Sequence, residues 1–159
     1  MKYYDFYDSS LGRLGIAEAE GKITNIWFDE RTEKRPETDE QKETPVIAET
    51  KRQLEEYFQG ERQKFDLPLS PQGTEFQKKV WKALEAIPFG ETRSYKEIAE
   101  AVGNPKGFRA VGMANNRNPI AIVVPCHRVL GSDRSLVGYA GGLDLKVSLL
   151  ALEALEQQL

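Results

Sequence analysis

The hydrophobic pattern changes period at Ser70-Pro71-Gln72-Gly73, and that change limits the fold more than any other feature. Upstream lie three short strand-like runs: Tyr3, Tyr4, Phe6 and Tyr7; Leu14-Gly15-Ile16-Ala17; and Ile23-Thr24-Asn25-Ile26-Trp27-Phe28. Ser9-Ser10-Leu11-Gly12 and Glu20-Gly21 separate them as turns, so residues 2–28 read as an antiparallel meander. Asp29 to Pro45 is almost wholly charged and polar and reads as a surface loop. A helix is expected from about Val46 to Gln59, with Ile47, Leu54, Tyr57 and Phe58 on one face and Gly60 as its stop. Phe65 to Leu69 reads as extended.

Downstream the spacing becomes helical. Thr74-Glu75-Phe76-Gln77 is a capping box, followed by Phe76, Val80, Ala83, Leu84 and Ile87 at helical intervals and closed by Pro88-Phe89-Gly90. A second box, Ser94-Tyr95-Lys96-Glu97, opens a short helix with Ile98, Ala99 and Val102 inward and Gly103 as terminator. Asn104-Pro105 reads as an immediate restart, with proline at the first helical position, running to about Asn116. A last helix is expected from Leu143, with Leu145, Leu149, Leu150 and Leu152 inward and Glu153 turned toward the core. Strands followed by helices predict an α+β chain of two domains, 1–73 and 74–159.

Two short helices joined by a tight Gly-Asn-Pro turn read as a helix-turn-helix. The second, with Arg109-Ala110-Val111-Gly112-Met113-Ala114, has no row of long polar side chains to meet base edges in a major groove. Small residues let its backbone approach DNA closely, which suits a shallow or narrow groove and docking without sequence preference. The formal net charge of −3 argues against a nucleic-acid partner taken globally, but the charge is unevenly spread. Residues 1–73 carry 11 basic and 16 acidic side chains; residues 93–134 carry seven basic against three acidic, a local +4. Concentrated positive charge is what phosphate binding needs. The plainer alternatives are a solvated basic face and a helix pair packed in a core.

Chemistry centres on Val123-Val124-Pro125-Cys126-His127-Arg128-Val129, which holds the chain's one cysteine and one histidine. A lone cysteine is more often a small buried hydrophobe than a nucleophile. Here an imidazole and a guanidinium adjoin it, and a thiol becomes reactive beside a base or a cation. A relay Glu153–His127–Cys126 is expected. Direct contact between neighbours in sequence is sterically awkward, so a water would bridge His127 and Cys126. Gly131 to Ser135 reads as a turn, and the glycines of Val137-Gly138-Tyr139-Ala140-Gly141-Gly142 would keep a loop close to a ligand, with backbone amides as donors. One cysteine excludes an intramolecular disulfide, and no Cys/His cluster exists to hold structural zinc. The first residues have no apolar signal core and no run reaches membrane-spanning length, so a cytoplasmic protein is expected.

These residues resemble the DNA 6-O-alkylguanine alkyltransferases, the methylated-DNA–protein-cysteine methyltransferases. The resemblance rests on Val124-Pro125-Cys126-His127-Arg128-Val129, Gly90-Glu91-Thr92-Arg93-Ser94-Tyr95, Phe108-Arg109-Ala110-Val111-Gly112, Asn118-Pro119, Gly138-Tyr139-Ala140-Gly141-Gly142-Leu143 and Glu153. It implies a ribonuclease-H-like N-terminal domain, an antiparallel sheet with a helix, and a C-terminal winged-helix-like helix-turn-helix domain. It implies direct-reversal repair, in which Cys126 irreversibly takes a methyl or other alkyl group from oxygen 6 of guanine in a flipped-out base, with oxygen 4 of thymine as a second candidate position. His127 and Glu153 would take the thiol proton, and Tyr95 would assist the leaving purine at nitrogen 3. Arg109 would enter the base stack, with Ala110, Gly112, Met113, Ser94 and Arg128 as further DNA contacts. Val129, Tyr139, Ala140 and Gly141 would line the guanine pocket, and Asn118 would tie the helix-turn-helix to the active-site loop. The implied partner is double-stranded DNA, bound as a monomer mainly through the minor groove with weak sequence preference; no cofactor, metal or membrane is implied. The competing readings are a non-catalytic, lesion-recognising or regulatory helix-turn-helix protein and a Cys-His hydrolase. The latter is disfavoured because such enzymes draw nucleophile and base from separated segments.

Overall fold

The structure is a computed structural model and describes residues 1–131, 139 and 141–158. The chain forms two compact units, one of residues 1–72 with 119–121 and one of residues 73–118 with 122–159. All but Gly131 of the turn expected at 131–135, and much of the glycine-rich loop, lie outside the described residues.

The first unit is built on a four-stranded sheet in the order β3-β2-β1-β4, with β1 at Lys2–Ser9, β2 at Gly12–Ala19, β3 at Lys22–Phe28 and β4 at Glu40–Gln41. The β1–β2 hairpin pairs Tyr7 with Leu14 and Ser9 with Gly12, and the β2–β3 hairpin turns through Glu20 and Gly21, both at positive φ. Consecutive positive φ values match the twist of the flanking strands, which is why this two-residue turn carries glycine. β2 is central and buried on both faces from Leu14 to Glu18. Gly15 has no side chain because a Cβ there would meet the Trp27 indole at 2.1 Å. That indole donates to Asp29 at 2.9 Å and packs edge-on against Phe6.

Two pairings here depart from expectation. The polar stretch 29–45 contains a 3-10 turn at Asp29–Arg31 and the short edge strand β4, which runs parallel to β1. Two exposed polar residues have no hydrophobic alternation, so their pairing leaves no trace in the sequence. Ile120 also bridges to Ile26, with Ile26 donating to the Pro119 carbonyl at 2.9 Å and Ala121 to the Ile26 carbonyl at 3.0 Å. Helix α1, Pro45–Phe58, starts on the Thr44 cap with proline in its first turn, and Gly60 at φ 79 follows its end. Its buried Gln53 exchanges two 2.9 Å hydrogen bonds with the Asp66 backbone and so holds the extended 65–69 stretch.

The second unit is mostly helical. Both capping boxes form: Thr74 and Gln77 open α2, Glu75–Glu85, and Ser94 and Glu97 open α3, Tyr95–Ala101. Trp81 of α2 is buried and donates to the Ala114 carbonyl of α4 at 2.8 Å. Helix α4 spans Phe108–Asn116, not the earlier start expected at Asn104-Pro105. Gly103 at φ 79 turns the chain, Asn104 donates to Ala99 at 2.9 Å, and Gly107 closes a four-residue turn on the Asn104 carbonyl at 2.8 Å. Proline at the second position of that turn serves the turn, not a helix start. A short parallel pair joins β5, Arg93–Ser94, to β6, Val129–Leu130.

Helix α5, Leu143–Gln158, buries Leu145, Lys146, Leu149 and Glu153. Leu150 and Leu152, expected inward, are only half-buried because they fall at the margins of that stripe. No helix among the described residues is long and apolar enough to cross a membrane.

Candidate active site

Cys126 opens a 3-10 turn, Cys126–Arg128, that follows Pro125 and leads into β6. The turn is tied down at both ends. The Cys126 amide donates to Val124 at 2.8 Å and the Arg128 amide to Pro125 at 3.0 Å. The Asn115 amide donates to the Cys126 carbonyl at 3.3 Å and the Asn118 amide to the Val124 carbonyl at 2.7 Å. Cys126 is 6% exposed, and its burial pushes the thiol pKa up; the Asn118 and Tyr139 side chains and the Lys146 charge oppose that shift.

His127 is wholly buried, and its Nε2 lies 2.7 Å from Glu153 Oε2. Arg128 forks onto the same carboxylate, Nε to Oε1 at 2.8 Å and Nη2 to Oε2 at 3.0 Å, while its Nη1 donates to the Ile87 carbonyl at 2.7 Å. Burial alone would raise the Glu153 carboxyl, but hydrogen bonds and charge from His127 and Arg128 hold it down to about 2. Burial lowers the His127 pKa against the pull of Glu153. At neutral pH the set is therefore an ionised carboxylate and a neutral imidazole. The carboxylate can only accept, so it fixes the proton on Nε2 and leaves a lone pair on Nδ1. Nδ1 is buried and has no protein hydrogen-bond partner among the described residues. The arrangement offers a base whose free nitrogen is one residue away from a thiol.

Helix α4 carries the remaining polar candidates. Arg109, Ala110 and Met113 are exposed on it, while Val111, Ala114 and Asn115 are buried. On one side of the helix a Cβ at Gly112 would meet the Tyr95 ring at 3.8 Å. Burial raises the Tyr95 pKa, with the Cys126 charge as a second cause, so the phenol stays protonated near the thiol. Ser94 accepts from the Glu97 amide at 3.0 Å as the α3 cap, and Val129 is fully buried in β6.

The pattern of the 6-O-methylguanine DNA methyltransferase DNA-binding domain matches residues 75–155, and that of the family's ribonuclease-like domain matches residues 2–71. The chain belongs to this family. A constitutive methylated-DNA–protein-cysteine methyltransferase of Bacillus subtilis is 52% identical over 158 residues, covering 96% of each chain. The methylated-DNA–protein-cysteine methyltransferase of Methanosarcina barkeri is 53% identical over 153 residues, covering 95% of this chain and 96% of the relative. The crystal structure of the Mycobacterium tuberculosis O6-methylguanine methyltransferase superposes with a TM-score of 0.90 at 45% identity, covering 98% of this chain and 94% of the other. A crystal structure of the M. tuberculosis protein in complex with DNA gives 0.85 at 45% identity, covering 97% and 94%.

In this family member Asn118, Tyr139, Lys146 and Tyr95 neighbour the Cys126 thiol, and the adjacent His127 pairs with Glu153. Arg128, expected as a DNA contact, is instead buried and spends its guanidinium on Glu153 and Ile87, and Phe89 lies against its cationic face at 5.7 Å. A guanidinium desolvated to satisfy a buried carboxylate is not available to a phosphate. Gly141 is half-buried, and Ala140 lies outside the described residues. Lys146 was missed. Its side chain is wholly buried, its pKa is lowered by that burial, and the Cys126 charge opposes the shift. The available signal was spacing: Lys146 precedes Glu153 by two helical turns and interrupts an otherwise apolar face.

Proposed function

We propose that this protein repairs DNA by direct reversal, with Cys126 as an acceptor used once. The observation that carries this reading is the buried Cys126–His127–Glu153 set, in which the carboxylate fixes a neutral imidazole as a base beside a thiol whose pKa is raised. A thiol held protonated needs its proton removed as it reacts. A water would carry that proton from Cys126 to His127 Nδ1, while Glu153, pinned by Arg128, stays ionised and stabilises the imidazolium. The sulfur attacks the alkyl carbon in line, a C–S bond forms, and the bond from that carbon to oxygen 6 of guanine breaks. The electron pair goes to the purine, and the Tyr95 hydroxyl supplies a proton at nitrogen 3. The imidazolium proton restores the phenol. Oxygen 4 of thymine is a second candidate position for the alkyl group. Among the described residues no side chain near Cys126 could displace an alkyl group from a thioether, so one molecule would react once.

The target base must leave the duplex, which costs a few kcal/mol and less for a poorly paired lesion. Arg109, exposed on α4, would fill the gap, with Ala110, Gly112 and Met113 letting the helix approach a minor groove closely and Ser94 beside the backbone. Val129, Tyr139, Ala140 and Gly141 would line the base pocket, and Asn118 would join the α4 end to the Cys126 turn. DNA would be bound by a monomer in the cytoplasm with weak sequence preference. The test is a duplex bearing one 6-O-methylguanine, offered in excess. One lesion restored to guanine per protein molecule is expected; repeated turnover, or no repair, would reject the reading.

A further inference from the structure

Aromatic side chains in this protein are buried or half-buried, with a single exception among the described residues. Phe108 is 52% exposed. It is the first residue of α4, where no side chain caps the helix and nothing about helix initiation calls for an aromatic. The turn that leads into it is closed by Gly107 on Asn104, where a Cβ at Gly107 would stand 2.3 Å from the Asn104 side chain. Phe108 adjoins Arg109 in sequence and shares a side of the helix with Gly112, four residues on. That is the side on which Gly112 approaches the Tyr95 ring. An exposed aromatic therefore adjoins the exposed arginine, on the helix whose Gly112 faces the tyrosine that borders the thiol.

The surroundings select the partner. Residues 104–118 hold Lys106, Arg109 and Arg117 and no acidic side chain. An exposed ring in a cationic setting fits a polyanion that offers flat apolar faces, and DNA offers both phosphates and bases. Apolar side chains that enter a minor groove act as wedges, partly unstacking the base step they touch.

We propose that Phe108 is a second wedge beside Arg109, its ring stacking on a base next to the extruded nucleotide and holding the opened step apart. This rests on the repair function proposed above and adds to it a residue that positions the substrate. Arg109 supplies charge and length to fill the gap; Phe108 supplies a stacking face that keeps the neighbouring base from closing over it.

The experiment compares the unaltered protein with F108A, F108L and F108W on two substrates: a duplex with one 6-O-methylguanine flanked by 2-aminopurine, and 6-O-methylguanine as the free base. The readouts are the ratio of duplex to free-base rate constants for Cys126 alkylation and the rise in 2-aminopurine emission on binding. The ratio is expected to fall about tenfold in F108A, in line with the loss of one base–aromatic stack, and the emission rise should shrink with it. F108W should recover both, and F108L should recover less, because it restores volume without a ring face. An F108A ratio and emission equal to those of the unaltered protein would overturn the wedge. Equal recovery by F108L and F108W would overturn stacking as its basis. A DNA-free change in sedimentation on F108A, with the duplex ratio unchanged, would assign the ring to self-association and overturn the proposal. Failure of the function beneath it looks different, since then the unaltered protein itself leaves the lesion in place.

Discussion

Glu153 meets a neutral imidazole at Oε2 and a guanidinium at both oxygens, and this shared carboxylate limits what His127 and Arg128 can do. Arg128 neutralises the carboxylate and keeps it from taking a proton, so in the proposed reaction a proton from the thiol would stop on His127. Replacing Glu153 by Gln keeps the volume but leaves the Arg128 charge buried and unpaired. Breaking a buried pair in this way costs about 3–5 kcal/mol, so E153Q should lose that much stability in a urea titration and lose alkylation. Loss of alkylation at full stability would mean that Arg128 finds another partner. At this scale the sequence revealed identities more readily than directions. The inward turn of Glu153 was legible because helical spacing sets it on the buried stripe of α5, where it meets His127. Arg128 was misread because a charge in a sequence does not say whether it points at solvent. Lys146 was overlooked because burying an ammonium contradicts the ordinary rule for lysine.

The elements of the second unit were legible wherever a side chain caps a helix. Thr74 and Gln77 satisfy each other's orphan amides at 3.1 and 2.9 Å. Thr74→Ala should lower stability by about 1 kcal/mol, read as a shifted urea midpoint with unchanged slope; no shift would mean that Trp81 packing alone fixes the start of α2. Where backbone hydrogen bonds alone define an element, the sequence was silent. Nothing in Glu40 and Gln41 signals a parallel edge strand, and nothing in Pro119 to Ala121 signals a bridge to β3. The start of α4 was placed too early because proline suits both a helix's first turn and a tight turn, and only the Gly107-to-Asn104 hydrogen bond decides between them.

Across the whole molecule, the change of period at residues 70–73 foretold a strand-rich and a helical part, and the two compact units divide near it. It could not foretell that residues 119–121 join the first unit, since that depends on a backbone pairing distant in sequence. Stability should respond to acid through the buried site. Glu153 has a folded pKa of about 2 against an ordinary 4.5, so its contribution is complete above about 4.5 and is lost as the pH falls toward 2. His127, held below its ordinary 6.5, acts in the same direction: the unfolded chain takes up a proton that the folded one resists. Thermal melts should therefore show stability declining from about pH 6.5 downward, and H127Q should remove the upper part of that decline; the same slope in both proteins would place the titrating group elsewhere.

Consumption of Cys126 as a reactant is tested by intact mass spectrometry after incubation with excess duplex carrying isotopically labelled 6-O-methylguanine. The account predicts one labelled methyl per molecule, mapped to the peptide containing Cys126 and absent in C126S. Protein that restores the lesion while remaining unmodified, or a methyl found on another residue, would contradict it.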